Sequence, residues 1–192
     1  MIKALANVSG YILIGGRSRR LGRDKAAIKV DGMPLWRRTS WIARGELGSK
    51  PILVGDHLDP ENHQGLEMLR DAKPGKGPLG GLVAALRHCQ KEWTLILAVD
   101  LPLMEPLDLR RLLSTRRAGF DVITLSTEGQ MEPLAALYRT STLDFWEDRL
   151  ARNELSLHEG IEQLTWKTVR LQKGSRALFN LNEPEDLEKI MG

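Results

Sequence analysis

Apolar residues in this chain cluster in short runs, separated by polar stretches of helix length. Six runs have the length and β-favouring character of buried strands: YILI (11–14), PILV (51–54), LEML (66–69), TLILAV (94–99), DVITL (121–125) and PLAALY (133–138). Between most of them lie segments long enough for helices. Three of these, Pro34–Leu47, Pro78–Cys89 and Pro106–Arg117, open with a proline suited to a first helical turn. The pattern predicts a further helical stretch over 141–163, broken near Asn153, and an amphipathic closing helix over 183–191. Strands alternating with helices imply the α/β class: a three-layer α/β/α arrangement around a mostly parallel, Rossmann-like sheet. No internal repeat, low-complexity tract or linker interrupts the alternation.

The 192 residues, 42% hydrophobic, suffice for one sizeable core, so a single domain spanning 1–192 is expected. Lys and Arg number 28 against 25 Asp and Glu, a net charge of +3. That balance gives no reason to expect nucleic acid as a partner, and makes any strongly basic segment a local device. The lone Cys89 excludes an internal disulfide framework, and no run approaches transmembrane length. MIKALANVSG lacks the long apolar stretch of a secretory signal, so the expected setting is the cytoplasm, away from membranes.

In an open α/β sheet, ligands sit at the carboxyl ends of the strands. The first such loop, LIGGRSRRLGRDK (13–25), places Gly15 and Gly16 before Arg17, Arg19, Arg20, Arg23 and Lys25. Glycines let backbone N–H groups approach a ligand and the cations supply charge, which suits a polyphosphate; the plainer reading is a glycine turn with a solvated basic loop. No Gly-Lys-Ser/Thr follows at Walker spacing. GKGPLG (75–80) matches a dinucleotide-binding pattern but does not follow the first strand. Pro78 and Gly80-Gly81 are better read as starting a helix whose amides face the ligand edge. In AVDLP, Asp100 ends the most apolar strand and can carry Mg²⁺, which needs only one or two carboxylates; alternatively it caps the helix at 106–117. His57 and His63 fit no common zinc spacing. The tryptophans at 36, 41, 93, 146 and 166 read as packing residues, and the arginine pairs 37–38, 110–111 and 116–117 as solvated helix faces.

Taken together, LIGGRSRRLGRDKA, GMPLW, DAKPGKGPLGGLVAAL, AVDLPLM, EPLAALY and NLNEPEDL resemble, in order, the motifs of the molybdenum cofactor guanylyltransferases. These sit within the larger group of nucleotide-diphospho-sugar transferase-like nucleotidyltransferases, and the first stretch is similar to their L-A-G-G-x-S-x-R-M-G-x-D-K-A signature. The resemblance implies transfer of GMP from GTP to the terminal phosphate of molybdopterin or its molybdenum-loaded form, with Mg²⁺ and release of pyrophosphate. Molybdenum-cofactor insertion or delivery proteins are then candidate partners. It further implies that Leu13, Ile14, Gly15 and Gly16 meet the nucleotide through their backbone, while Arg20 and Lys25 hold the triphosphate. Asp100 and Asn182 serve the metal, Asp71 the nucleoside, and Gly80 the helix start at the phosphates. Asparagine at 182 has a plainer reading as a helix cap, paired with Glu185.

Two departures touch specificity. Gly55-Asp56-His57 replaces the usual N-x-N-R, leaving Asp56 or Asp71 to accept from the guanine N1–H and N2 donors. Ile14 replaces a small alanine, which would narrow the pocket. Rival readings are a cytidylyltransferase acting on the pterin cofactor or a sugar phosphate, and a non-catalytic GTP-binding subunit.

Overall fold

The structure, a computed structural model, describes residues 7–14, 25–55 and 65–191. Strand β1 (Val8–Leu13) runs parallel to β4 (Ile52–Val54) on one side and to β6 (Trp93–Ala98) on the other. Beyond them lie β5 (Met68–Leu69), β7 (Val122–Thr127), β8 (Gln130–Arg139) and β9 (Trp166–Arg170), in the sheet order β5-β4-β1-β6-β8-β7-β9. All seven strands point the same way except β8, which is antiparallel to both neighbours. Leu13 pairs with both Val54 and Ala98, and Val54 with Leu69, so the carboxyl ends of four parallel strands reach one edge at one level.

Helices cover both faces. Helix α1 (Leu35–Leu47) and helix α3 (Pro106–Ser114) close one core around Ile12, Ile14, Leu97 and Leu137, joined by Leu187 and Ile190 of α6 (Pro184–Met191). Helices α2 (Pro78–His88), α4 (Leu143–Ala151) and α5 (Leu157–Glu162) close the other around Tyr11, Leu13, Ile96 and Tyr138. Successive strand residues point to opposite faces, so a strand covered on both sides must be apolar throughout. All six residues of β6 are buried, which explains the unbroken run TLILAV.

Each predicted run forms a strand, but two features depart from the expected pattern. PLAALY belongs to a ten-residue antiparallel strand, β8, joined to β7 by Glu128 (φ 50°) and Gly129 (φ 87°). Two consecutive positive φ values are those of a tight hairpin turn, which brings the chain straight back where the alternation implied a crossover helix. Strand β9, with the sequence WKTVR, lacks a continuous apolar run because it is a half-buried edge. A separate two-residue ladder, β2 (Lys29–Val30) with β3 (Met33–Pro34), turns at Asp31 (φ 51°) and Gly32 (φ 76°).

Prolines begin α2 and α3 within their first turn, whereas Pro34 stands one residue ahead of α1 as its cap. The break at Asn153 (φ 61°) divides α4 from α5. Trp36, Trp93 and Trp146 are buried as packing residues, but Trp41 and Trp166 are 66% and 39% exposed. Nor are the arginine pairs merely solvated. Arg110 forms a two-pronged ion pair with Glu46 (2.8 and 2.9 Å), Arg117 lies over the Phe120 ring, and Arg38 reaches the loop after β6. Among the described residues, no helix is long and apolar enough to cross a membrane.

Gly160 of α5 packs directly on the fully buried Trp146; a Cβ there would stand 2.4 Å from the indole. Gly160→Ala adds up to about 1 kcal/mol of helix propensity but forces Trp146 to move, an overpacking cost of about 1–3 kcal/mol. The net is destabilising. The melting midpoint should fall by a few degrees in calorimetry; an unchanged or raised midpoint would refute this packing account.

Candidate active site

Every strand of the sheet but β8 brings its carboxyl end to one edge, and the strand order reverses between β1 and β6. β1 is followed in sequence by strands on one side of it, and β6 lies on the other. Such a switch point opens a crevice. Lys25, at the end of the first loop, opens a short 3-10 turn over Lys25–Ala27. Its ammonium donates to Asp100 Oδ2 at 3.1 Å and to Asn182 Oδ1 at 2.8 Å. Three residues 75 and 82 positions apart thus converge on one nitrogen. Their side chains are only partly shielded: Lys25 is 14% and Asp100 21% exposed.

Backbone bonds hold this cluster from several sides. Val99 N–H donates to the Leu13 carbonyl (3.2 Å), extending the β1–β6 ladder to the residue before Asp100. Leu181 N–H donates to the Asp100 carbonyl (2.9 Å), tying the carboxy-terminal segment to the same loop. Arg38 Nε donates to the Pro102 carbonyl (2.7 Å), clamping the loop from α1.

Two plainer readings of these residues are corrected. Asp100 does not cap α3, because Glu105 and Asp108 form a reciprocal capping box there. Asn182 does not cap α6 through its side chain, nor does Glu185 complete such a cap. Instead the Asp186 carboxylate accepts from both the Asn182 and Glu183 N–H groups (3.0 Å each). Both residues are thereby released from local duty.

Asp100 Oδ1 is buried and has no hydrogen-bond partner among the described residues. A buried unsatisfied oxygen costs about 1–3 kcal/mol, more when charged, and is stabilised by a cation or a donor. A hard oxygen donor at the switch point suits Mg²⁺, which takes few protein ligands. The residues present therefore fit a magnesium ion held through Asp100, with the Asn182 amide beside it.

The other expected site residues are placed as follows. Leu13 ends β1 with its side chain against α2: a methyl group on Gly81 would sit 3.0 Å from Leu13 Cδ2 and 3.4 Å from Asp71 Oδ1. Asp71 accordingly lies against the start of α2, beside the β1 end. Gly80 permits close backbone approach, since a Cβ there would stand 2.9 Å from the Lys73 carbonyl, and its own carbonyl accepts from Ala72 N–H (3.1 Å). Gly77 (φ 62°, ψ −155°) supplies the turn into α2, a backbone region open only to glycine. The Ile14 side chain is buried in the α1-side core and its N–H donates to the Val54 carbonyl (2.9 Å), so it does not narrow the crevice as its size suggested. Gly15, Gly16, Arg20 and Asp56, with Arg17, Arg19, Arg23, His57 and His63, lie outside the described residues.

One contact near the cluster was not expected. Asn180 Nδ2 donates to Glu132 Oε2 (3.3 Å), bringing β8 into contact with the segment that carries Asn182. The signal was available, since both residues fall in stretches that resemble family motifs, EPLAALY and NLNEPEDL.

The MobA-like NTP transferase domain matches residues 10–165. This chain belongs to that family. Transferases of the family similar to it include a probable molybdenum cofactor guanylyltransferase from Opitutus terrae, 34% identical across 95% of this chain and 94% of that protein. A molybdenum cofactor guanylyltransferase from Rhizobium meliloti is 30% identical across 93% of this chain and 88% of its own length. In fold, the chain matches molybdopterin-guanine dinucleotide biosynthesis protein A from Archaeoglobus fulgidus with a TM-score of 0.77, at 24% identity, covering 95% and 96% of the two chains. The protein is a nucleotidyltransferase.

The Asp186 cap is electrostatic. Hydrogen bonds from the Asn182 backbone, the Lys189 side chain and the Glu183 backbone lower its carboxyl pKa to about 2. The unfolded carboxyl titrates at about 3.9, so the cap's contribution is complete above that pH and disappears as pH falls through about 2. Urea unfolding should show wild type more stable than Asp186→Asn by a constant margin above about pH 4, the margin shrinking on acidification. A margin that grows toward low pH would contradict the assignment.

Proposed function

We propose that this MobA-like transferase moves GMP from GTP to the terminal phosphate of molybdopterin, with or without bound molybdenum, and releases pyrophosphate. The observation that carries the reading is Lys25 drawn between Asp100 and Asn182 at the switch point, with Asp100 Oδ1 left without a partner. The names of the curated relatives support the choice of nucleotide and acceptor.

The acceptor phosphate is its own nucleophile, so the protein's work is positioning and charge. The Lys25 ammonium donates to phosphate oxygens of the triphosphate and to the departing pyrophosphate, where negative charge grows in the transition state. Asp100 would hold Mg²⁺, which when bound would supply neutralising charge to the phosphates. Asn182 steadies Lys25 through its carbonyl and turns its NH₂ the other way, a donor suited to a phosphate oxygen. Asp71, beside the α2 start, accepts from the guanine N1–H and N2 donors, and the α2 amides with the glycine loop after β1 cradle the phosphates. Arg20 serves the triphosphate with Lys25, and Asp56 is the alternative to Asp71 as acceptor for the guanine donors.

Removing one preorganised charge contact costs about 10²–10³ in rate, so Lys25→Ala and Asp100→Ala should each lower turnover by that factor while far-UV circular dichroism stays that of wild type. Retention of more than about a tenth of wild-type turnover by either variant would overturn its role. Substrate class is tested by pyrophosphate release from each Mg-NTP, with and without molybdopterin. Release with GTP that requires the acceptor is expected. Release with CTP would favour a cytidylyltransferase, and none with any nucleotide a non-catalytic subunit.

A further inference from the structure

We propose that Glu132 is a positioning residue of this site: its carboxylate sets which way the Asn180 side-chain amide faces beside the Lys25–Asp100–Asn182 cluster. The inference rests on the transferase reading above for its kinetic consequence, but not for its structural one.

Strand β8 carries Glu132 to the ligand edge by a break in register. Along β7, Thr124 pairs with Ala136 but the next residue, Leu125, pairs with Glu132, so Pro133–Ala135 are extra residues on β8. Along β6 the pairing holds up to Leu97 with Ala135. The same pairing continued three residues would bring Glu132 level with Asp100. A bulge of this kind is a common way to re-aim a side chain next to an active site. The bulge also serves the carboxylate directly: Glu132 Oε1 accepts from Leu134 N–H within the extra segment (3.0 Å), which leaves Oε2 for Asn180 Nδ2 (3.3 Å).

The chemistry of the two partners removes the usual ambiguity of an asparagine amide. An ionised carboxylate only accepts, so the NH₂ of Asn180 must face Glu132 and its carbonyl oxygen must face away. An ammonium only donates, so Asn182, two residues on, must turn its carbonyl to Lys25 and its NH₂ away. Leu181 between them is fully buried and bonded through its N–H to the Asp100 carbonyl, which holds the two asparagines on the same stretch beside the Asp100 loop. Glu132 and Lys25 thus orient neighbouring amides in opposite senses, one presenting an acceptor and the other a donor. The acceptor from Asn180 suits a water on a hard cation, because Mg²⁺ keeps several waters whose hydrogens need partners. Such outer contacts to a metal site commonly carry about 10–100-fold in affinity or activity.

The test uses the full chain in two arms. In the first, with no substrate, ¹⁵N-resolved NMR follows the Asn180 side-chain NH₂ pair, assigned by its loss in Asn180→Ala. Glu132→Ala should move that pair to the position of a solvated amide, whereas Glu132→Gln, which keeps the shape and can still bond, should leave the melting midpoint unchanged. A pair that does not move in Glu132→Ala overturns the proposal. In the second arm, Glu132→Ala and Asn180→Ala should each lower kcat by about 10–100-fold with little change in the KM for GTP, and Glu132→Gln should recover part of the loss. Because Glu132 acts through Asn180, the double variant should be no slower than Asn180→Ala; multiplying losses, or a wild-type kcat in Glu132→Ala, overturn the proposal. If wild type releases no pyrophosphate from GTP, the functional reading has failed, and the NMR arm still decides Glu132.

Discussion

Parallel pairing of β1 with both β4 and β6 is the constraint on which the site depends. Because Leu13 is in register with Val54 on one side and Ala98 on the other, the loops after three strands start from one level. Val99 and Ile14 extend this alignment one step further, donating to the Leu13 and Val54 carbonyls respectively. A one-residue slip would exchange Tyr11, Ile12 and Leu13 between the two cores, where their shapes would not fit, so close packing on two faces holds the register. The alignment of the chemistry is therefore a by-product of core packing, and is as robust as the core.

Within that frame, division of labour among polar groups keeps the side chains of the Lys25–Asp100–Asn182 cluster available to one another. Helix α3 is capped by Glu105 and Asp108, and α6 is started by Asp186. Had Asp100 or Asn182 served as those caps, their side chains would be committed to backbone N–H groups and unable to meet Lys25. Short-range capping thus has a long-range consequence. It leaves an aspartate and an asparagine, 82 positions apart in sequence, to share one ammonium. The arrangement is economical in charge: Lys25 offsets one Asp100 oxygen while the other stays open to a cation.

Family membership and geometry meet at this cluster. The match to the MobA-like NTP transferase domain spans 10–165 and so contains Lys25, Asp71, Asp100 and Glu132, whereas Asn180 and Asn182 lie beyond it. The carboxy-terminal segment reaches the site through tertiary contacts, above all Leu181 on the Asp100 carbonyl and Asn182 on Lys25. It acts as a strap that returns from β9 to the crevice between β1 and β6.

Much of this was readable along the chain. The class of fold followed from alternation of apolar runs with helix-length segments, because a strand buried on both faces has to be apolar throughout. Lys25, Asp100 and Asn182 could be picked out because each follows a strand or precedes a helix in a stretch with a family motif. The antiparallel course of β8 was hidden, since PLAALY looks the same in either direction and direction is set by the Glu128-Gly129 turn. Arg38 looked like a solvated helix residue, and Glu132 carried no assigned role, because a hydrogen bond to Pro102 or Asn180 leaves no local trace in composition or spacing. Periodicity records which face of an element meets the core, and so it is written residue by residue. Which polar groups meet across elements is settled only when the sheet order brings distant loops to one edge.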